Sequence, residues 1–455
     1  MKIRSPWIEQ LARTREAQVL EGDTRADSVI VGAGIAGVST AYHILRDTSH
    51  RVLLLEAGKV AHGATGHNAG QITTYFERPF SDLADSYGIE AASRAQAGVE
   101  SGWTILETMR REATLATPIW RFTGYAACAN KEQILLHLRD NLLRSQGGLL
   151  TERLYISATH LTIAEIPEEY REFCQFVPHA YILSLLETKD AHYIAAICYD
   201  KGCMNSALFT EEVTGYLLRT YPDRFTLAEE TRVERILFTK DGAQLKTPIH
   251  TITADRVILC TNGSTDIAFA SPHDDLADTY LQRTVEGKVG YMAGYLEPLD
   301  KPPTAASYFP KEGADPEDAY FYLTRRPYDI SAEQTHNLLC IGGPDRPLKA
   351  DETYDHDAPF GEDEFNDIES FLKKTYAYYT KKREEEFFLW HGLMGYTKDR
   401  LRLVGTDPHE PALLYNLGCN GVGILASLYG AQRIADLLAG KDVEPSLFEP
   451  KRLTG

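Results

Sequence analysis

Residues 27 to 58, DSVIVGAGIAGVSTAYHILRDTSHRVLLLEAG, restrict the fold of this chain more than any other stretch. An apolar strand, Val29 to Val31, runs into Gly32, Gly34 and Gly37. A helical pattern follows from Ile35 and Ala36 to about Arg46, and a second apolar strand, Val52 to Leu55, ends in Glu56 and Ala57. The three glycines answer three steric demands. Gly32 permits a tight turn, Gly34 lets the backbone approach a pyrophosphate, and Gly37 lets helix and strand pack closely, so that the helix N-terminus faces phosphate. Glu56, 24 residues after Gly32, stands where it can accept hydrogen bonds from an adenosine ribose. Because strand, turn, helix and acid agree, a dinucleotide-binding unit is expected in place of a glycine-rich turn without a ligand. NAD and FAD share this signature, so the choice between them falls to other segments.

At 455 residues the chain is too long for one ordinary core, and two domains are the default expectation. Hydrophobic content of 43% with 25% charged residues is that of a soluble globular protein, and no apolar run has membrane or signal-peptide length, so a cytoplasmic location without a transmembrane segment is expected. A net charge of -18 argues against nonspecific nucleic-acid binding. The seven cysteines are scattered singly; Cys198 and Cys203 in CYDKGC have no companion His or Cys motif, so buried free thiols are expected and no metal site.

Four more segments carry small residues at strand ends. HGATGHNAGQI, residues 62 to 72, sets Gly63, Ala64, Thr65, Gly66, Ala69 and Gly70 around His67, Asn68 and Gln71. In ADRVILCTNGST a strand ends in Thr261, Asn262 and Gly263, and the preceding TRVERILFT places Val233 on a strand. WHGLMGYTKDRLRLVG supplies Gly392 and Gly395, and LLYNLGCNGVGILASLYGAQRIADLLAG supplies Gly418, Asn420, Gly421, Val422, Gly423 and Ile424 before a helix.

This set resembles the D-amino-acid oxidase (DAO) superfamily of FAD-dependent amine oxidoreductases, and is most like its gamma-glutamylputrescine oxidase, glycine oxidase and sarcosine oxidase group; the leader SPWIEQL and the order Trp390, Gly392, Leu393 add to the likeness. The resemblance covers residues 5 to 75, 205 to 265 and 388 to 440. It implies an α/β mosaic: a Rossmann-like FAD domain assembled from residues 1–117, 205–268 and 388–455, and an inserted, mostly antiparallel substrate domain from 118–204 and 269–387. Strands are expected at 121–130, 285–299, 319–326 and 337–343, helices at 89–111, 207–221 and 362–379, and a surface loop in LDKPPTAASYFPKEGADPED. It also implies that the small residues of 63 to 71 wrap the pyrophosphate and flavin. Backbone N–H groups near Val422 would stabilise the charge that appears around flavin N1 and C2=O on reduction.

The implied reaction is hydride transfer from a carbon–nitrogen bond of an amine to flavin N5, giving an imine that hydrolyses, with O2 or another electron acceptor reoxidising the flavin. In members that bind simple α-amino acids, one arginine follows the Gly-Leu of the WxGLRP motif and another lies in the last glycine turn, and both pair with the substrate carboxylate. Here those positions hold Met394 and Gly421 or a neighbour. The expected substrate is therefore an amine of N-alkylated amino acid or acylated polyamine type. Candidate pocket residues are His391, Tyr291, Lys288 and Tyr322, together with Tyr75 and Arg325; each has a packing alternative, since tyrosines are common in cores and His391 neighbours the family position Gly392. His67 takes the place that is commonly arginine in the gamma-glutamylputrescine oxidase branch. Aligned on Gly63, Thr65, Ala69 and Gly70, it falls on the histidine that carries flavin covalently in dimethylglycine and sarcosine dehydrogenases. Noncovalent FAD is the favoured expectation and a histidyl link at His67 the alternative. Rival readings are oxidation of a hydroxyacid or glycerol phosphate, which needs an Arg or Lys cluster where the pocket segments show only Arg283, Lys288 and the Arg325, Arg326 pair; an FAD-binding subunit without turnover; and an enzyme using NAD alone. Oligomeric state is not legible.

Overall fold

A computed structural model describes residues 4–453 apart from 12, 14, 271–283, 312–319, 332, 350–351 and 381–386. Among the described residues, no helix is long and apolar enough to cross a membrane. Two mixed sheets of nine and ten strands organise the chain.

The first sheet grows from the glycine motif of residues 27–58. Thr24–Val31 pairs in parallel with Val52–Leu55 on one side and Thr251–Leu259 on the other. Phe225–Ala228 adds in parallel beyond Val52–Leu55, and Leu413–Leu417 adds in parallel to the second half of Thr251–Leu259. Val29, Ile30, Val31 and the whole of Val52–Leu55 are buried, as the continuous apolar runs of a parallel sheet covered on both faces require. The helices Ile35–Asp47, Ile89–Glu112, Ser206–Thr220 and Ile424–Leu438 bury Val38, Leu106, Phe209 and Leu428 in one core with Ile30 and Leu54.

The second sheet runs in the order Phe387–Thr397, Val285–Glu297, Gln334–Pro347, Phe321–Ser331, Thr304–Tyr308, Ile119–Cys128, Ala195–Met204, Leu154–Ser157 and Cys174–Val177. It is antiparallel except where Thr304–Tyr308 meets Ile119–Cys128 and where Leu154–Ser157 meets Cys174–Val177. Phe387–Thr397 thus hydrogen-bonds into this sheet although all but its first residue fall in the segment, 388–455, expected for the nucleotide domain. The other expected strands and helices form, the strands at Phe321–Ser331 and Gln334–Pro347 being longer than the patterns suggested and the helix expected at 362–379 ending at Thr375.

Two expectations need correction. The Pro-rich stretch read as a surface loop contains the inner strand Thr304–Tyr308, with Ala305, Ala306, Ser307 and Tyr308 buried. Pro302, Pro303 and Pro310 bracket this short run and interrupt no ladder bond inside it, so they punctuate a strand instead of excluding one. Residues 312–318 of that stretch lie outside the described residues, as does Arg283. Val233 is buried just before the strand Arg235–Thr239, not on it.

Candidate active site

A cavity of about 580 Å³ opens where the carboxyl ends of the parallel strands meet the face of the second sheet. Val31 and Gly32, Glu56, Cys260 to Asn262, and Leu417 line it from the first sheet; Lys288, Gly290, Met292, Tyr322, Gly392 and Met394 line it from the second. Ligands of open α/β sheets bind at this carboxyl end.

The first sheet's side of the cavity is made of close backbone approaches. Gly32 has φ +103°, which a side chain would strain, and a Cβ on Gly37 would collide with the Gly32 carbonyl. A Cβ on Gly34 would lie 2.9 Å from Thr65 Oγ1, which accepts the Ile35 N–H at 2.9 Å. The helix Ile35–Asp47 otherwise starts without a side-chain cap, and its first turn borders the cavity. Glu56 accepts from the N–H groups of Ala33 and Gly58, at 2.8 and 2.9 Å; burial raises its pKa and those two bonds oppose the rise. Each carboxylate oxygen keeps a lone pair for a ribose hydroxyl. Ala57 and Val233 line the same end.

The loop around His67 is built on Asn68. Its side-chain amide donates to the carbonyls of Ala64 and Thr65 and to Ser206 Oγ, and its Oδ1 accepts from Gly70 N–H. Trp7 and Trp390, packed edge to face, both donate to the Asn68 carbonyl. Gly70 leaves the cavity wall and instead makes room for Trp7. Gly63, Ala64, Thr65, His67, Ala69 and Gln71 line the cavity. His67 Nδ1 faces the Gly63 carbonyl at 3.0 Å, its other ring nitrogen has no partner among the described residues, and burial lowers its pKa to about 4.

Asn262 joins three segments: its side chain accepts from Cys419 N–H and Gly395 N–H and donates to the Leu393 carbonyl. Gly263 packs under the Met394 backbone, and Asn420 accepts from Thr397 N–H, so these two, like Gly418, support the turn without lining the cavity. Gly421, Val422, Gly423 and Ile424 do line it, at the uncapped start of Ile424–Leu438.

Three features here call for an acceptor-rich anionic guest. Two helix starts whose N-cap residues, Gly34 and Gly423, offer no capping side chain border one cavity. Arg402, buried and held to Asn416, lines the same cavity with no carboxylate paired to it among the described residues, and burial lowers its pKa to about 10. Thr261 Oγ1 is buried without a hydrogen-bond partner. FAD fits this donor set: its pyrophosphate suits the first helix start and its ribose suits Glu56.

The other half of the cavity is lined by Tyr75, Glu77, Lys288, Tyr320, Tyr322, Asp345 and Tyr396. Glu77 accepts from the Tyr320 hydroxyl at 2.9 Å, and a Cβ on Gly421 would lie 2.9 Å from Glu77 Oε1 and 3.0 Å from the Tyr396 hydroxyl. Burial raises the Glu77 pKa to about 7, against the pull of Tyr320, Arg400 and Lys201. Lys288 lies over the Tyr396 ring with Asp345 at 3.9 Å, and Tyr322 donates to Met292 Sδ.

Strand alternation decides which candidates reach this space. In the ladder Lys288 faces Met394, Gly290 faces Gly392 and Tyr291 faces His391. The first two pairs line the cavity, so Tyr291 and His391 point to the other side of the sheet. There His391 Nδ1 meets the Tyr354 hydroxyl at 2.9 Å, its Nε2 meets the Ala358 carbonyl at 2.9 Å, and the Tyr291 hydroxyl accepts from Arg346. Arg325 is also off the cavity, paired bidentately with Glu187, and Arg326 lies over the Trp7 ring. Glu77, Tyr320, Tyr396 and Arg402 were not singled out from the sequence. TTYFERPF and DRLRLVG give no local sign that Glu77 and Arg402 would line a cavity, and only the fold brings them there.

The family model described as DAO, FAD dependent oxidoreductase, matches residues 27–437. The chain is 34% identical over 86 residues to gamma-glutamylputrescine oxidoreductase of Escherichia coli (strain K12), a match spanning 19% of this chain and 20% of that enzyme. It is 46% identical over 56 residues to mitochondrial dimethylglycine dehydrogenase of Rattus norvegicus, spanning 12% of this chain and 6% of that one. The matches thus cover a fifth or less of these relatives' length. The fold is that of glycine oxidase from Geobacillus kaustophilus, with a TM-score of 0.64 at 17% identity over 94% of this chain and 99% of that one. With the family model spanning most of its length and both sheets in place, the chain belongs to the DAO family of FAD-dependent oxidoreductases.

Proposed function

We propose that this enzyme oxidises a carbon–nitrogen bond of an amine that enters the site as a cation and carries no carboxylate beside the reacting nitrogen, the acylated polyamine type being favoured over the N-alkylated amino acid. One observation carries this reading: where carboxylate-binding relatives are expected to place arginine, the cavity holds Met394 and Gly421, with the carboxyl of Glu77 against Gly421. An ammonium pairs with that carboxylate and a substrate carboxylate is repelled by it. The rings of Tyr75, Tyr320, Tyr322 and Tyr396 add faces that attract a cation. In this reading FAD, once bound on the first sheet, supplies the hydride acceptor. The chain's own residues orient the amine, exclude water and take its proton on Glu77, since only the uncharged amine can give up a hydride.

Oxidation of a hydroxyacid or glycerol phosphate is disfavoured because Lys288 stands beside Asp345, Arg325 and Arg326 lie off the cavity, and Arg400, which does line it, is offset by the Glu77 carboxylate. An anaerobic screen of the yellow holoenzyme against amines, N-methyl amino acids, acylated polyamines and hydroxyacids tests the reading. Bleaching by cationic amines supports it, bleaching by hydroxyacids alone overturns it, and no bleaching by any of them favours a subunit without turnover. We assign FAD a noncovalent mode, and acid precipitation tests it: yellow that stays with the pellet would establish covalent attachment, for which His67 is the alternative carrier.

A further inference from the structure

A second chamber of about 120 Å³ lies behind the substrate half of the cavity, and the two share Tyr75, Glu77 and Tyr320 as a common wall. Its far side includes Glu152, Asp140, Arg144 and Ser307. Lys201, with no exposed surface, bridges the two spaces: its Nζ donates to Gln71 Oε1 at 3.1 Å, on the wall of the main cavity, and to Ser307 Oγ at 3.2 Å, on the wall of the second. Gln71 is held in that orientation because its amide nitrogen donates to Thr324 Oγ1. The amino group also sits near the faces of Tyr75 and Tyr199, and among the described residues it has no carboxylate within ion-pair distance. Packing a lysine where no ion pair repays its burial is a cost that stability alone does not explain.

We propose that Glu77, Lys201 and Glu152 form a proton exit: the proton leaving the substrate ammonium passes to Glu77 and departs through the second chamber, with Lys201 as the bridge. The proposal rests on the amine reading above. In the first step one N–H bond of the substrate breaks, its electron pair stays on nitrogen, and one O–H bond forms on the Glu77 carboxylate. In the second, that O–H breaks as a water between the two groups takes the proton and gives up one of its own, so that an N–H forms on neutral Lys201, which passes the proton on towards Glu152 through water in the same way. No oxidant or reductant takes part. The chamber has room for about four waters to complete the chain. Burial brings all three groups to one range: Glu77 and Glu152 rise to about 7 and Lys201 falls to about 7. Matched proton affinities are what transfer without a trap requires. The charges that face the three are Arg400, Asp345 and Tyr320 at Glu77, and Arg144, Asp140 and Glu100 at Glu152, with Tyr75 and Tyr199 over Lys201. In this scheme Glu77 is the catalytic residue, while Lys201 and Glu152 act through it.

Stopped-flow mixing of holoenzyme with a bleaching amine, in weak buffer with a pH indicator, separates flavin reduction from proton release. In Lys201→Met and Glu152→Gln the first bleaching is expected to proceed while proton release lags by about tenfold or more. Release in step with bleaching in both variants would overturn the proposal. An infrared pH titration of the carboxyl bands in holoenzyme needs no substrate: Lys201→Met is expected to move the midpoints of both Glu77 and Glu152, identified by E77Q and E152Q, and unmoved midpoints would also overturn it. Failure of every amine to bleach the flavin would instead sink the amine reading, with the infrared coupling still deciding whether the three groups titrate together.

Discussion

Glu77 joins the local physics to the chemistry most directly. Its carboxyl rises to about 7 because burial disfavours the charge, and the Tyr320 hydroxyl only partly offsets this. Below that pH the group is neutral and neither attracts an ammonium nor accepts its proton; above it the carboxylate does both. Amine-driven flavin reduction is therefore expected to rise with pH through about 7. Glu77→Gln should flatten that limb and slow reduction by about 100-fold or more, measured by anaerobic stopped flow across the pH range. Arg402 is the counterpart on the cofactor side. Removing its charge in Arg402→Met should weaken FAD by about tenfold to a hundredfold, the worth of one charge-assisted hydrogen bond, measured by equilibrium dialysis of the flavin. The glycines and Glu56 were legible because their demands are local: a turn, a close approach, an acid at fixed distance. Glu77 and Arg402 were not, because nothing in their neighbours' spacing tells a buried charge from a solvated one.

The strand Phe387–Thr397 turns such local facts into a site. Its period of two sends Gly392, Met394 and Tyr396 to the cavity and His391 behind it, and its pairing with Val285–Glu297 does the same for Lys288 and Gly290 against Tyr291. That both were strands could be read from composition, but which face meets the flavin is set by a ladder between segments a hundred residues apart, which no local pattern encodes. The strand also touches the loop of small residues: a Cβ on Gly392 would collide with the His67 carbonyl. Gly392→Val should therefore push that loop off the sheet and disturb the Asn68 bonds that shape it. Purified G392V is expected to retain little flavin, read from the ratio of visible to ultraviolet absorbance, while keeping wild-type far-ultraviolet circular dichroism. Full flavin occupancy would show that the close packing at Gly392 does not shape the cofactor site.

Across the molecule, the cost of such a site should appear as lost stability, because the carboxyls of Glu77 and Glu152 share a low-dielectric region where their charged forms are disfavoured. For Glu152 the folded pKa of about 7 lies above the ordinary value of 4.5. The fold thus favours the neutral acid, a contribution fully present below about 4.5 and lost as pH rises through about 7. Gln resembles the neutral acid in shape and cannot ionise, so Glu152→Gln should remove the penalty only where the wild-type group is charged. At pH values well above 7 the variant is expected to be more stable by about 1–3 kcal/mol, and near pH 5 by little or nothing. Arg144 limits the gain, since its guanidinium lies 3.9 Å from Glu152, but Glu100 and the Leu150 carbonyl hold it after the substitution. Calorimetric melting of FAD-saturated protein at the two pH values measures the difference. A variant less stable than wild type at the higher pH would mean that Glu152 serves the fold as an ion-pair partner, and the reason for burying it would then lie in packing. A gain confined to the higher pH would mean that the fold gives up stability to keep an ionisable group beside the cavity, a sacrifice expected of a residue retained for turnover.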